Sequence, residues 1–242
     1  MACSHSCCNV IGSLRNVANS TLPSIKIAPS ILAADFAHLA DEVARVAQDI
    51  DLLHVDCMDG HYVPNLSIGP PVVAALRKAT DLYLDCHLMV SDPGSLLDMF
   101  AEAGADGITV HVEVGDTESL IRRIRDLGCR VGLTLEPATP LSDLERFLDS
   151  IDTLLVMSVK TGFGGQVFIP EVLDKVRSAR RIIVERGLCC EIEIDGGIKA
   201  SNAAMAAAAG VDILVAGTAV FGAVDPAAAA REIRAIAVAA LQ

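Results

Sequence analysis

From residue 25 onward the sequence alternates eight times between a short apolar run and an amphipathic stretch, and nothing else in it restricts the fold so tightly. The runs cover residues 25–31, 52–55, 82–86, 107–111, 130–135, 153–157, 191–194 and 212–216. The stretches between and after them cover about 38–48, 71–78, 94–103, 117–127, 141–148, 170–185, a segment from Ser201, and 226 to the end. Leu120, Ile121, Ile124 and Leu127 recur at helical spacing, which predicts a helix over 117–127. Helix-ending Gly104, Gly128, Gly187 and Gly210 and the helix-starting Asp225-Pro226 punctuate the series at regular intervals. Eight consecutive strand–helix units are the count of a (β/α)8 TIM barrel, an α/β fold in one domain. A doubly wound open sheet would want G-x-G-x-x-G after an early strand, and neither of the first two runs has it.

A parallel barrel needs strands apolar on both faces, and the composition supplies them. Of 242 residues, 52% are hydrophobic while aromatics make up only 3% and Trp is absent, so the core must be aliphatic. The net charge of −12 and the lack of a Lys/Arg block exclude a sequence-independent grip on nucleic acid. They do not exclude a phosphorylated small molecule, because backbone N–H groups can hold one phosphate. Cys57, Cys86, Cys129, Cys189 and Cys190 lie in or beside apolar runs, as reduced thiols do. Residues 1–24 hold no acid and many Ser and Asn, and read as a disordered extension whose Cys3, Cys7 and Cys8 are spare thiols. No apolar stretch is long enough for a signal peptide or a membrane span, so a cytoplasmic protein with no membrane partner is expected. Ala-rich outer helices favour a homo-oligomer.

In a barrel, function gathers at the C-terminal ends of the strands. His54 and Asp56 stand two apart at the end of the second run and so share a face; His87 ends the third, His111 the fourth and Asp195 the seventh. Two His and two Asp from three strands make an N2O2 set suited to Zn2+ or a similar divalent ion. Ser30 follows the first run. Gly162-Phe163-Gly164-Gly165-Gln166, Gly196-Gly197 and Gly217-Thr218 follow the sixth, seventh and eighth. Without Cβ atoms, such backbone can close on an anion. His111 by itself reads first as a hydrogen-bonded structural residue, and Met58, Met89 and Met157 as gap-filling core.

Five motifs then match one family in order: Ile27-Ala28-Pro29-Ser30-Ile31-Leu32, His54 through Asn65, Asp85 through Val90, Gly162 through Gln166, and Asp195-Gly196-Gly197-Ile198. They closely resemble the ribulose-phosphate 3-epimerases. The resemblance implies a (β/α)8 barrel that interconverts D-ribulose 5-phosphate and D-xylulose 5-phosphate in the pentose phosphate pathway, with one divalent metal ion. Zinc is expected, with iron, manganese or cobalt as alternatives. It implies His54, Asp56, His87 and Asp195 as metal ligands, Asp56 and Asp195 also as the acid/base pair, and Ser30 and His87 as contacts to the sugar. Gly162, Phe163, Gly164, Gly165, Gly196, Gly197, Gly217 and Thr218 would hold the phosphate, and Met58, Met89 and Met157 would floor the reacting carbons. Inversion beside a ketone fits two carboxylates, because one fixed base cannot serve both faces of a planar 2,3-enediolate.

One departure is local: the family pattern has Pro directly before Gly-Phe-Gly-Gly, and here Lys160-Thr161 stand there. This keeps an epimerase of a six-carbon ketose phosphate, such as allulose 6-phosphate, as the neighbouring reading. A decarboxylase or aldolase on the same superfold would want a Lys beside an Asp at the strand ends, and only Lys160 and Lys199 are near. A non-catalytic sugar-phosphate-binding barrel fits poorly with four intact potential ligands.

Overall fold

The computed structural model describes residues 25–242. The expectations for residues 1–24, a disordered extension with spare thiols, lie outside the described residues. Eight parallel strands run in the order β1-β8-β7-β6-β5-β4-β3-β2. They are β1 (Lys26–Ala28), β2 (Leu52–Met58), β3 (Tyr83–Met89), β4 (Gly107–His111), β5 (Arg130–Leu135), β6 (Thr153–Met157), β7 (Glu191–Asp195) and β8 (Ile213–Val215). Each strand is followed by helix: α1 (Leu39–Val46), α2 (Pro70–Ala79), α3 (Leu97–Ala103), α4 (Thr117–Asp126), α5 (Ser142–Glu145), α6 (Val172–Arg186), α7 (Ala200–Ala209), then α8 (Thr218–Phe221) and α9 (Pro226–Ala239) after the last. This is the expected eightfold barrel in a single domain. The sheet closes where a bridge joins Ser30 to His54 and where Asp51 N and His54 N donate to Ile27 O and Pro29 O, both at 3.1 Å.

The strands form because their side chains are wanted on both faces. Val55, Cys57, Leu84, Cys86, Leu88, Ile108, Val110, Val131, Leu133, Leu154, Val156, Ile192 and Ile194 face the helices in one continuous apolar cluster. Removing each such aliphatic side chain from water stabilises by roughly 1.5–3 kcal/mol, which explains how a chain without Trp holds a large core. The alternate positions point into the barrel, and there β2, β3, β4 and β7 carry polar residues in place of the usual filling.

Several boundaries differ from the sequence expectation. β1 is three residues long, because Ile31 turns into a 3-10 segment capped by the Ser30 side chain. β2 and β3 continue to Met58 and Met89, since Asp56, Cys57 and Met58 pair with His87, Leu88 and Met89. The stretch expected to be helical over 141–148 has only Ser142–Glu145 in α-helix. Beyond it Phe147 N and Ser150 N make tight i→i−3 bonds to Leu144 and Phe147 while Leu144, Phe147 and Leu148 are buried, so short apolar anchors are packed without a full extra turn. Among the described residues, Cys57, Cys86, Cys129, Cys189 and Cys190 are free thiols, and no helix is long and apolar enough to cross a membrane.

Candidate active site

The C-terminal mouth of the barrel holds a cavity of about 430 Å³ lined by Ser30, Asp56, Met58, Met89, Met157 and Asp195 on its floor and by Gly162–Gln166, Gly196-Gly197 and Gly217-Thr218 along one wall. Strand register builds the floor. β2 and β3 place His54 beside Asp85 and Asp56 beside His87, and β6 places Met157 beside Asp195. Inward side chains therefore stack in two layers, His54, Asp85 and Glu193 below, Asp56, His87 and Asp195 above. His54, Asp56, His87 and Asp195 each bring one ligand-type atom within 4.8 Å of the others, a possible site for a divalent metal ion.

The local chemistry fits a cation. Asp56 Oδ1 lies 3.3 Å from His54 Nε2 and 3.2 Å from His87 Nδ1, so all three groups face one point. His54 Nε2 is fully buried, with only the 3.3 Å approach of Asp56 Oδ1 in front of it, while Nδ1 of the same ring meets Asp85 Oδ2 at 2.9 Å and Glu193 Oε1 at 3.2 Å. A buried ring nitrogen left free while its opposite nitrogen is tied to a carboxylate is the usual state of a metal-binding histidine. Asp56 is also held by Ser30, whose hydroxyl donates to Oδ2 at 2.6 Å.

The two aspartates differ in their surroundings. Burial alone would raise Asp56, but the charge of His54 and hydrogen bonds from His54 and His87 outweigh it and keep the carboxyl well below the ordinary range. For Asp195 the balance is reversed: burial, then the charge of Asp56, outweigh the charge of His54 and lift it to about 7. In the lower layer, burial and then the charge of Asp85 push Glu193 to about 8; in the upper, burial depresses His87 to about 4. Burial opposes the charged form of His54, yet Asp56, Asp85 and Glu193 together raise it well above the usual imidazole value.

The glycine wall has conformational reasons for its composition. Gly162, Gly165, Gly196 and Gly197 all have positive φ. A Cβ on Gly197 would lie 2.7 Å from both Gln166 O and Phe168 N, so glycine there lets the β7 loop press against the β6 loop. Asn65 from the β2 loop donates to Gly162 O at 3.0 Å, and Gln166 Nε2 donates to Lys160 O and Phe163 O at 2.6 and 2.8 Å, tying the loop to itself and to its neighbour. Thr161 is buried against the cavity and Lys160 is exposed. Thr161 N–H points at Glu136 Oε2, 3.4 Å away, a weak contact that a proline could not make. Phe163 stands 54% exposed at the rim, where it can cover a ligand.

Ser30, Asp56, Asp195, the three methionines and the glycine-rich segments line the cavity, while His54 and His87 lie fully buried and do not line it, so no contact of His87 with the cavity is seen; the four candidate ligands nonetheless converge. Sequence reasoning did not single out Asp85, Glu193, Tyr62, Glu113 or Asn65. Asp85 and Glu193 stand two before His87 and Asp195, and the period-2 rule that paired His54 with Asp56 could have found them. His111 does not line the cavity; it stacks on His87 with ring centroids 5.0 Å apart.

Comparison with known proteins places this geometry among relatives. Residues 26–221 match the model of the ribulose-phosphate 3 epimerase family. The chain is 53% identical over 209 residues to the ribulose-phosphate 3-epimerase of Mycobacterium leprae, covering 86% of this chain and 93% of that one. It is 54% identical over 209 residues to that of Mycobacterium tuberculosis strain H37Rv, covering 86% and 91%. The structure of 3-keto-L-gulonate-6-phosphate decarboxylase from Vibrio cholerae superposes with a TM-score of 0.67 over 92% of this chain and 100% of that one. At 20% identity, this likeness speaks for the barrel alone.

Proposed function

Because the chain belongs to the ribulose-phosphate 3-epimerase family, and is therefore an isomerase acting on a phosphorylated sugar, we propose that Asp56 and Asp195 are its two proton-transfer groups. The observation that carries this reading is their placement: two carboxyl groups from β2 and β7 on one cavity floor. A planar enediolate between them would be met by an ionised carboxylate on one face and a protonated carboxyl on the other. That is what inversion at C3 requires. His54, Asp56, His87 and Asp195 would hold one divalent cation, zinc in this reading, which when bound supplies positive charge beside the oxygens where the enediolate's charge develops.

The chain's own groups do the rest. Ser30 holds Asp56 in place through its 2.6 Å bond and, lining the cavity, would contact a sugar hydroxyl. Met58, Met89 and Met157 are buried at the floor and keep water from the reacting carbons. The backbone N–H groups of Gly162 to Gly165, Gly196-Gly197 and Gly217-Thr218 would receive the phosphate, with Phe163 closing over it. In this reading the substrate pair is D-ribulose 5-phosphate and D-xylulose 5-phosphate, and the enzyme works in the cytoplasm as a homo-oligomer. The free thiols support a reducing compartment.

The test is a coupled epimerisation assay run beside solvent exchange of the C3 proton of ribulose 5-phosphate. Asp56→Asn and Asp195→Asn should each lower kcat at least about 1000-fold with the melting transition retained, in line with loss of a positioned acid or base. Turnover near that of the parent chain in both variants would overturn the assignment. Running allulose 6-phosphate in parallel decides whether the pentulose is the preferred substrate.

A further inference from the structure

Behind the second candidate ligand runs a chain of hydrogen-bonding groups that the proton-transfer scheme does not use. His87 turns Nδ1 toward Asp56 Oδ1, and its other nitrogen, Nε2, lies 2.9 Å from Nε2 of His111. His111 Nδ1 lies 2.9 Å from the Tyr62 hydroxyl and 3.3 Å from Glu113 Oε2. Glu113 in turn accepts from Thr139 Oγ1 at 2.5 Å and from Glu136 N at 2.9 Å through Oε1. His87 and His111 are both wholly buried, so no solvent competes for their ring nitrogens.

The proton positions along this chain follow from one premise, that His87 is a metal ligand, and the inference rests on that reading of the site. A nitrogen giving its lone pair to a cation carries no proton, so His87, ligating through Nδ1, must carry its proton on Nε2. Two ring nitrogens at 2.9 Å share one proton, so Nε2 of His111 must be the acceptor. Neutral His111 then has its own proton on Nδ1, the atom that faces the Tyr62 oxygen and the Glu113 carboxylate. Both oxygens can accept. Each link thus requires the next, and the end of the chain is an anion fixed by two donors.

We propose that His111 and Glu113 are positioning residues, a carboxylate–imidazole relay from β4 that fixes the tautomer and ring orientation of His87 and strengthens its Nδ1 as a ligand. His54 has a more direct form of the same device, with the carboxylates of Asp85 and Glu193 on its rear nitrogen at 2.9 and 3.2 Å. The two histidines then ligate through opposite nitrogens, His54 through Nε2 and His87 through Nδ1. Partners of this kind are worth about 10- to 100-fold in metal affinity.

Two measurements on one set of proteins test the relay. In zinc-loaded protein labelled with 15N-histidine, long-range 1H–15N correlation should find His87 protonated at Nε2 and His111 at Nδ1. Zinc affinity from competition with a chromophoric chelator should fall about 10-fold or more in Glu113→Gln, whose side chain is partly exposed and whose fold should persist. It should fall further in His111→Leu, yet stay within a few-fold of the parent in His111→Gln, whose Oε1 can still accept from His87. A simple packing role would not rescue through glutamine. His111 protonated at Nε2, or unchanged zinc affinity in Glu113→Gln and His111→Leu, would overturn the relay alone. A parent chain that binds no zinc would overturn the metal-centre reading and the relay with it.

Discussion

Asp85 sets what His54 can offer, because its carboxylate occupies Nδ1 and leaves the opposite nitrogen free. Asp85→Asn keeps the shape but can turn an amide N–H toward the ring, which would favour the wrong tautomer. Metal affinity should fall about 10- to 100-fold with little change in melting temperature of the metal-free protein, measured by chelator competition and calorimetry. Equal affinity would show that Asp85 is not what orients the ring, leaving that role to Glu193, 3.2 Å from the same nitrogen, and to packing. Glu113 carries a pH signature of its own. Burial opposes its ionisation, but hydrogen bonds from His111, Thr139 and Glu136 bring it down to about 2 from the ordinary 4.5. A group whose value is lower in the folded state stabilises the fold fully above its unfolded value, and the benefit fades as pH falls from about 4.5 toward 2. In the presence of chelator, Glu113→Gln should therefore melt below the parent at pH 7, with the gap narrowing as pH drops below about 4.5. A gap that is constant with pH would assign the loss to shape and not to charge. At this scale the four proposed ligands were legible because each stands at or near the end of an apolar run in the sequence, although in the fold only Asp195 ends its strand. Tyr62 and Glu113 were not, since they meet His111 across 49 and 2 residues of chain and only the folded barrel brings both to one nitrogen.

At the scale of elements, the sequence announced eight strand–helix units because a parallel strand buried on both faces leaves an unbroken apolar run and its covering helix leaves a stripe. It did not announce that β2 runs on to Met58, because His54 and Asp56 interrupt the apolar signal at the inward positions while Val55 and Cys57 continue it toward the helices. Nor could it foresee the loops gripping one another. The β2 loop reaches the β6 loop through Asn65 to Gly162 O, and it is fastened below by Ser67, which accepts from Met58 N at 2.9 Å and donates to Asp56 O at 2.7 Å. Asn65→Ala would cut the link between the loops without touching either aspartate. One hydrogen bond of this sort contributes about 0.5–1.5 kcal/mol, so KM for the sugar phosphate should rise roughly 2- to 12-fold with kcat changed less. Steady-state kinetics would check it, and a fall confined to kcat would place Asn65 in the chemistry instead.

The molecule as a whole is a closed ring of strands, and the candidate metal centre draws from opposite parts of it. His54 and Asp56 come from β2, His87 from β3, and Asp195 from β7, which is separated from β2 in the ring by β8 and β1. The seam between β1 and β2 is the thinnest part of the sheet, held by the Ser30–His54 bridge and a few backbone bonds, and Ser30 crosses it to reach Asp56. A cation held by these four residues would fasten strands on both sides of that seam, and an unfolded chain has no such site to offer. Binding confined to the folded state stabilises by about 2.7 kcal/mol when the free metal is 100 times its dissociation constant. For a domain of this length each kcal/mol moves the midpoint by about 2–4 °C, so zinc at that excess should raise the melting temperature by roughly 5–10 °C over protein stripped with chelator. The increment should grow with the logarithm of metal concentration and should shrink in Asp195→Asn, which removes the one ligand from the far side of the seam. A melting temperature indifferent to zinc in the parent chain would mean that the four side chains converge without holding an ion.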